Sequence, residues 1–270
     1  MSQQASLSTT PATVPLPICT ITATDLNASL AEGYADFKAK RGDLIFVGLL
    51  YPLVGAIASV VMTGSNISML FPLFAGLSLL GPLVATGFYE LAKRREAGRN
   101  SSWWHFFGVL KSQSILSVAA VGIGLLAIFG AWLAAAAMIY TLFFGLESPG
   151  TIGNFFQTVL TTPAGWGMIV VGNLVGIGFA IIVLAISVVS LPLLVDRKVS
   201  AERAVSTSLA AFRANPGVLI RWGVMVGVIL TVAAIPLLIG LAVALPVLGY
   251  ATWHLYTRLV DRDAIGAMGR

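Results

Sequence analysis

Between Lys111 and Glu147 the chain runs for more than thirty residues without a charged side chain, and the stretch 115–144 within it is almost wholly apolar. About 20 apolar residues suffice for a helix to cross the hydrocarbon of a bilayer. Helices survive there because they satisfy every backbone group internally. This run therefore sets the solvent of the fold before any other feature is considered. Composition agrees: 57% of residues are hydrophobic, 10% are charged and the mean hydropathy is +0.92, against about 45–50% and 25% in ordinary soluble domains. A large aqueous enzyme domain is excluded, and a single cysteine excludes a disulfide scaffold.

The same reading predicts spans at about 44–62, 67–91, 115–144 and 164–195. Residues 217–260 are also apolar but have no clear polar break. Basic residues resolve that region, because cytoplasmic loops carry excess Lys and Arg. All sixteen fall into four clusters. Lys38, Lys40 and Arg41 precede the first span. Lys93, Arg94, Arg95, Arg99 and Lys111 lie between the second and third. Arg197, Lys198, Arg203, Arg213 and Arg221 follow the fourth. Arg258, Arg262 and Arg270 close the chain. The connections 63–67 and 145–163 hold none. For the last cluster to share the side of the others, 222–257 must contain two crossings, with a turn near Pro236 to Gly240. The expectation is six spans, the last two at 217–235 and 240–260, with both termini cytoplasmic. Net charge of +5 then reads as topology and attraction to anionic lipid, not as nucleic-acid binding.

Residues 1–23 are rich in Ser, Thr, Ala and Pro and have neither a basic start nor an apolar core. A secretory signal needs both. The expectation is a disordered tail in which Cys19 is a free thiol rather than a lipidation site, followed by a membrane domain over 24–262 and a short tail over 263–270.

Each span pair is preceded by an amphipathic segment. In residues 25–38, with Thr24 as candidate N-cap, Leu26, Leu30, Gly33, Tyr34 and Phe37 fall at helical spacing. The second is 102–111, SWWHFFGVLK. The third is 200–213, where Ala204, Val205, Leu209 and Phe212 form one stripe and Pro216-Gly217 stops the helix. Repetition of this kind is the mark of a repeat architecture, here structural and only weakly sequential. The fold class expected is all-α: a polytopic bundle of six transmembrane helices with three cytoplasmic-side amphipathic helices lying in the interface, arranged as a pseudo-threefold repeat of helix plus hairpin.

Residues 81–96, GPLVATGFYELAKRRE, followed by Trp103-Trp104, together with 43–52, DLIFVGLLYP, and 190–197, SLPLLVDR, resemble an uncharacterised bacterial family of integral membrane proteins, domain of unknown function 2189. The resemblance runs from about Ile18 to Arg262. It implies six helices and a Gram-negative inner-membrane setting, and it implies no reaction. An oxidase-subunit label attached to some members needs haem ligands, commonly His pairs within the membrane. The two histidines, His105 and His254, both fall at the membrane boundary. A metal site from His105, His254 and Glu90 is thin for zinc. No cofactor or metal is expected.

Transporters place ionisable groups inside the bundle, and the predicted spans lack them away from their ends. Glu90 is placed to pair with Lys93 or Arg94. Asn173, between glycines in Gly172-Asn173-Leu174-Val175-Gly176, is the one central polar candidate, as a solute contact or as an interhelical hydrogen bond. Gly172, Asn173, Gly176, Gly223 and Gly227 are candidate close-packing positions. Lys93, Arg94, Arg95, Arg99, Trp103, Trp104 and His105 form a basic and aromatic belt suited to anionic headgroups or a membrane partner. The function expected is a non-enzymatic inner-membrane protein, an accessory, assembly or lipid-interacting factor. Its expected partners are the phospholipid bilayer, anionic headgroups and a larger respiratory complex or a second copy. The alternative is a transporter or channel for a small or apolar solute.

Overall fold

The computed structural model describes residues 15–39, 72, 81–146, 151–235 and 240–262. The predicted first span, all of the second before Gly81 except Pro72, and the tails 1–14 and 263–270 lie outside the described residues. The elements are α1 (Ala23–Ala39), α2 (Gly81–Glu96), a 3₁₀ segment (Trp103–Lys111), α3 (Ile115–Phe144), α4 (Ile152–Thr161), α5 (Pro163–Ser187), α6 (Ser190–Asp196), α7 (Ala201–Ala214), α8 (Pro216–Ala234) and α9 (Leu241–Leu259). The fold is all-helical. Among the described residues there is no strand, only an isolated antiparallel bridge between Ile18 and Val260.

Three stretches are long and apolar enough to cross a membrane: Ile115–Phe144, Pro163–Asp196 and Pro216–Ala234. The first matches the charge-free run, and at 1.5 Å per residue it is about 45 Å long. The second starts with Thr162, whose hydroxyl accepts from the Gly165 amide, and Pro163 in the first turn, where a missing N–H costs nothing. It breaks at Val188 and Val189 before α6. Ser208 of α7 repairs the break. Its Oγ accepts from Val189 N at 3.2 Å and donates to Ala185 O at 2.8 Å, so the freed backbone groups stay satisfied while buried. α8 begins at Asn215 with Pro216 in its first turn. Its far end returns into α9 so closely that a Cβ on Gly240 would lie 2.5 Å from Ala233 O.

The core is centred on α9, where Tyr250, Trp253, Leu255, Tyr256 and Leu259 are all buried. α2, α6 and α9 pack on one another. Contact with α2 is close because Gly249 has no side chain: a Cβ there would lie 2.6 Å from that of Phe88. The chain from Pro72 to Leu83, which enters α2, runs antiparallel to α3. Leu83 packs against Gly122, and the Trp132 indole N–H donates to Pro72 O at 2.8 Å.

Local structure departs from the sequence reading in several places. α1 starts at Ala23, ahead of the expected cap Thr24, because the Asp25 carboxylate reaches back to both N and Oγ of Thr22 at 2.7 and 2.8 Å. Its stripe Leu26, Gly33 and Phe37 is buried, Leu30 is partly so, and Tyr34 is exposed. That stripe packs against α9, where Gly33 meets the Ala251 backbone. The second amphipathic segment is a 3₁₀ helix. Its aromatic-rich nine residues have weak α-propensity, and Ser102 provides no side-chain cap.

The connection 145–163, expected to be a loop, holds α4. Thr151 caps it by accepting from Asn154 N, and Phe155 and Val159 are buried. Residues 15–22, expected within the disordered tail, are tied down by distant partners. Cys19 N donates to Leu259 O and Asp261 N to Pro17 O. Leu16 N donates to Thr207 Oγ1, and Ile21 N to Asn215 Oδ1. Cys19 itself is a free, exposed thiol.

Candidate functional site

Helix ends set the site. α2, α6 and α9 each finish at the same end of the bundle, and their terminal charges meet there. The side chain of Asp196, the last residue of α6, is 5% exposed. Its carboxylate accepts from Arg262 Nε at 3.1 Å and from the Tyr256 hydroxyl at 2.8 Å. Arg262 also donates to Glu96 at 2.5 Å, and the other Glu96 oxygen accepts from the Trp253 indole N–H at 3.1 Å. Lys93 Nζ donates to the carbonyls of Val195 and Asp196 at 2.6 and 3.1 Å. A cation there complements the negative end of α6. Burial works against the charge of Arg262, but the hydrogen bond to Glu96 and the charge of Asp196 outweigh it and hold its pKa above the ordinary value.

A second network fastens α1 to α9 and α2. Arg258 donates through both terminal nitrogens to the two Glu32 oxygens, at 2.9 and 2.6 Å. His254 lies between two carboxylates, with Nδ1 3.2 Å from Glu32 and Nε2 2.9 Å from Asp36. Arg95 reaches Asp36 Oδ1 at 3.1 Å and donates to its backbone carbonyl at 2.7 Å. The Arg258 hydrogen bond lowers the pKa of Glu32, more than burial raises it. Thr22 lowers that of Asp25 through its backbone N–H and then its hydroxyl. The acids in these networks thus face cations or donors. The arrangement locks helix ends together.

The predicted belt divides. Lys93, Arg94 and Arg95 bond within the chain, Arg94 to Glu90 at 2.6 Å. Arg99 is exposed beyond α2. Trp103 and Trp104 stack with ring centroids 3.5 Å apart, and His105 Nδ1 lies 3.0 Å from Ser102 Oγ. His105, His254 and Glu90 therefore take different partners. Among the described residues no cluster of three His, Cys, Asp or Glu side chains is disposed to hold a metal.

Among the packing candidates, Gly176 faces the Trp132 ring and Gly223 faces Leu184, while Gly172 and Gly227 have open space beside them. Asn173 is exposed and donates to Ile169 O of its own helix at 2.8 Å. An open apolar groove of about 360 Å³ runs between α3, α5 and α7, lined by Ala120, Gly124, Ile128, Ile186 and Val205 among others; Asn173 does not line it.

Sequence reasoning missed Thr207, Ser208 and Asn215, the polar residues that hold the α5–α6 break and the N-terminal segment. A signal was present: Ala204, Thr207, Ser208, Ala211 and Asn215 share helical spacing and are all buried, so polar groups lie on the inward stripe. Tyr256 and Trp253 gave no signal, since their acidic partners are 60 and 157 residues away.

An all-helical chain with three stretches fit to cross a bilayer, and its ion pairs gathered at helix ends, has the build of an integral membrane protein. Residues 70–196 are similar to the family described as predicted integral membrane protein (DUF2189). The match falls within the stretch over which the resemblance was drawn. No curated protein and no solved structure matches the chain.

Proposed function

We propose that the chain is a non-enzymatic, multi-pass protein of the bacterial inner membrane, acting as an accessory or assembly factor that also contacts lipid. The observation that carries this reading is the pairing of charges at one end of the bundle: Asp196, Glu96, Glu32 and Asp36 are each matched by Arg262, Arg258, Arg95 or His254. Charge is spent on holding the helices together, and the outward faces are apolar, as at Leu116, Ile123, Leu174 and Val228. Such a surface suits lipid or a neighbouring membrane protein.

Six spans with cytoplasmic termini are part of the proposal. Support comes from Arg262 and Arg258 joining the layer that holds Lys93 and Arg95, as a basic cytoplasmic face requires. The pseudo-threefold repeat is supported by a packing rule. The 3₁₀ segment rests on α2, α7 rests on α5 and α6, and α1 rests on α9. Each amphipathic segment thus covers the helix that ends the preceding hairpin, and α1, the first, covers the last.

Copurification of the native full-length protein in mild detergent tests the reading. Retention of a membrane complex in stoichiometric amount is expected. A monomer that carries no other protein overturns the accessory role, and solute flux in proteoliposomes would establish the transport alternative in its place.

A further inference from the structure

The 3₁₀ segment has an outward row that the charged layer does not use. With three residues per turn, side chains at i and i+3 stand one above another. Phe106 and Val109 form the inner row. Phe106 lies edge-on to Phe88 with centroids 5.1 Å apart, and Val109 is buried. Trp104, Phe107 and Leu110 form the outer row, 67%, 42% and 62% exposed.

Depth distinguishes this row from an ordinary exposed apolar patch. Phe106 covers Gly87, and Gly108 faces Glu90, so the segment runs beside residues 87–90 of α2. The chain enters α2 antiparallel to α3, with Leu83 opposite Gly122. Four to seven residues further along α2 therefore lie level with the first turn of α3, where the apolar run begins and Leu116 is exposed. Exposed cations stand at either end of the segment, Arg99 before it and Lys111 at its close.

From this arrangement we infer that the outer row is a binding surface for anionic phospholipid. Trp104, Phe107 and Leu110 sit at the boundary of headgroups and acyl chains, where amphipathic aromatic rings are favoured. Arg99 and Lys111 meet the phosphates. One row on nine residues is far below the roughly 1,200–2,000 Å² that a stable protein interface buries, which favours lipid over a protein partner. The inference rests on the membrane reading above and adds to it the chemistry of the lipid.

The test uses the full chain with Cys19→Ser and Phe107→Cys, carrying an environment-sensitive fluorophore, in nanodiscs of phosphatidylcholine with or without phosphatidylglycerol. Quenching by lipids brominated high in the acyl chain, without quenching by aqueous iodide, is expected. Spin-labelled phosphatidylglycerol should associate with the unlabelled protein several-fold more than spin-labelled phosphatidylcholine, and Arg99→Gln with Lys111→Gln should abolish that preference. Leu110→Cys provides a second probe position should Phe107→Cys fold poorly. Iodide quenching without bromolipid quenching overturns the proposal. So does a probe shielded from both, which would indicate a protein occupant, and so does a preference that survives the double substitution. None of these outcomes depends on whether a complex copurifies, so the two readings fail separately.

Discussion

Arg262 and Asp196, 66 residues apart in sequence, meet with Nε 3.1 Å from Oδ2, and the contact joins the segment just after α9 to the end of the second long apolar stretch. Asp196 is the more buried partner. Removing the guanidinium leaves that carboxylate with the Tyr256 hydroxyl and the neighbouring Arg197, whose Nε is 3.4 Å away.

Arg262→Ala should therefore destabilise the protein. Breaking a fully buried pair costs about 3–5 kcal/mol, and because the arginine keeps contact with solvent a loss of roughly half that is expected. The midpoint of unfolding in mixed micelles should fall. Asp196→Asn added to Arg262→Ala should cost less than the two single losses summed, since the groups share one network. Strict additivity would show that the contact carries no coupling energy.

Ser208→Ala should be costly for a different reason. It removes at once the acceptor for Val189 N and the donor to Ala185 O, in a fully buried position. Leaving buried backbone groups unsatisfied costs about 1–3 kcal/mol. The expected readout is a lower unfolding midpoint, with faster amide exchange confined to the break between α5 and α6. Exchange unchanged at Val189 would count against this role.

Much of the fold was legible because hydrophobicity in a bilayer is a long, simple signal. α3 coincides with a span read from the sequence and α8 begins and ends within one residue of another, whereas α9 has the bounds read for the last helix to within one residue but is not among the stretches apolar enough to cross a membrane. What was illegible depends on partners far apart in the chain. The positive-inside pattern groups Arg95 with Lys93 and Arg99, but it cannot say that Arg95 reaches Asp36 while Lys93 caps α6. Residues 15–22 looked unable to bury surface, yet their order comes from Thr207, Asn215 and Leu259–Asp261. α4 was hidden because ten residues in a connecting loop are too short to show a convincing period.

Acid should loosen α1 from α9. Glu32 has a pKa in the folded protein below its ordinary 4.5 because Arg258 bonds to the carboxylate. A depressed carboxyl pKa adds stability above the unfolded value, and the contribution disappears as pH falls through the folded value. The contribution of Glu32 to docking of α1 should thus be constant near neutrality and be lost only below about pH 4.5. The effect is modest, since Glu32 is partly exposed and screened. Trypsin is inactive at so low a pH, so amide exchange along α1 is the suitable measurement. Glu32→Gln should raise α1 exchange at pH 7 and flatten its acid dependence. An unchanged acid dependence would assign it to another carboxyl, Asp25 first, whose pKa Thr22 holds down.

The final hairpin makes a topological prediction. α8 starts at Asn215, whose side chain holds Ile21 N and Cys19 O, so that end of α8 lies beside Cys19. α9 finishes at the same place, since Leu259 O accepts from Cys19 N. The far end of α8 must then lie about 28 Å away along a 19-residue helix. Ile235, 75% exposed there, is a better reporter than Gly240, whose Cβ would strike Ala233. The turn after α3 offers Leu146, 94% exposed. In intact cells an impermeant maleimide should label Ile235→Cys and Leu146→Cys in a Cys19→Ser background, while native Cys19 should react only after permeabilisation. Labelling of Cys19 from outside would invert the orientation. If Leu146→Cys labelled from outside and Ile235→Cys only after permeabilisation, α8 and α9 would not form a crossing pair, and the six-span arrangement would fall with them.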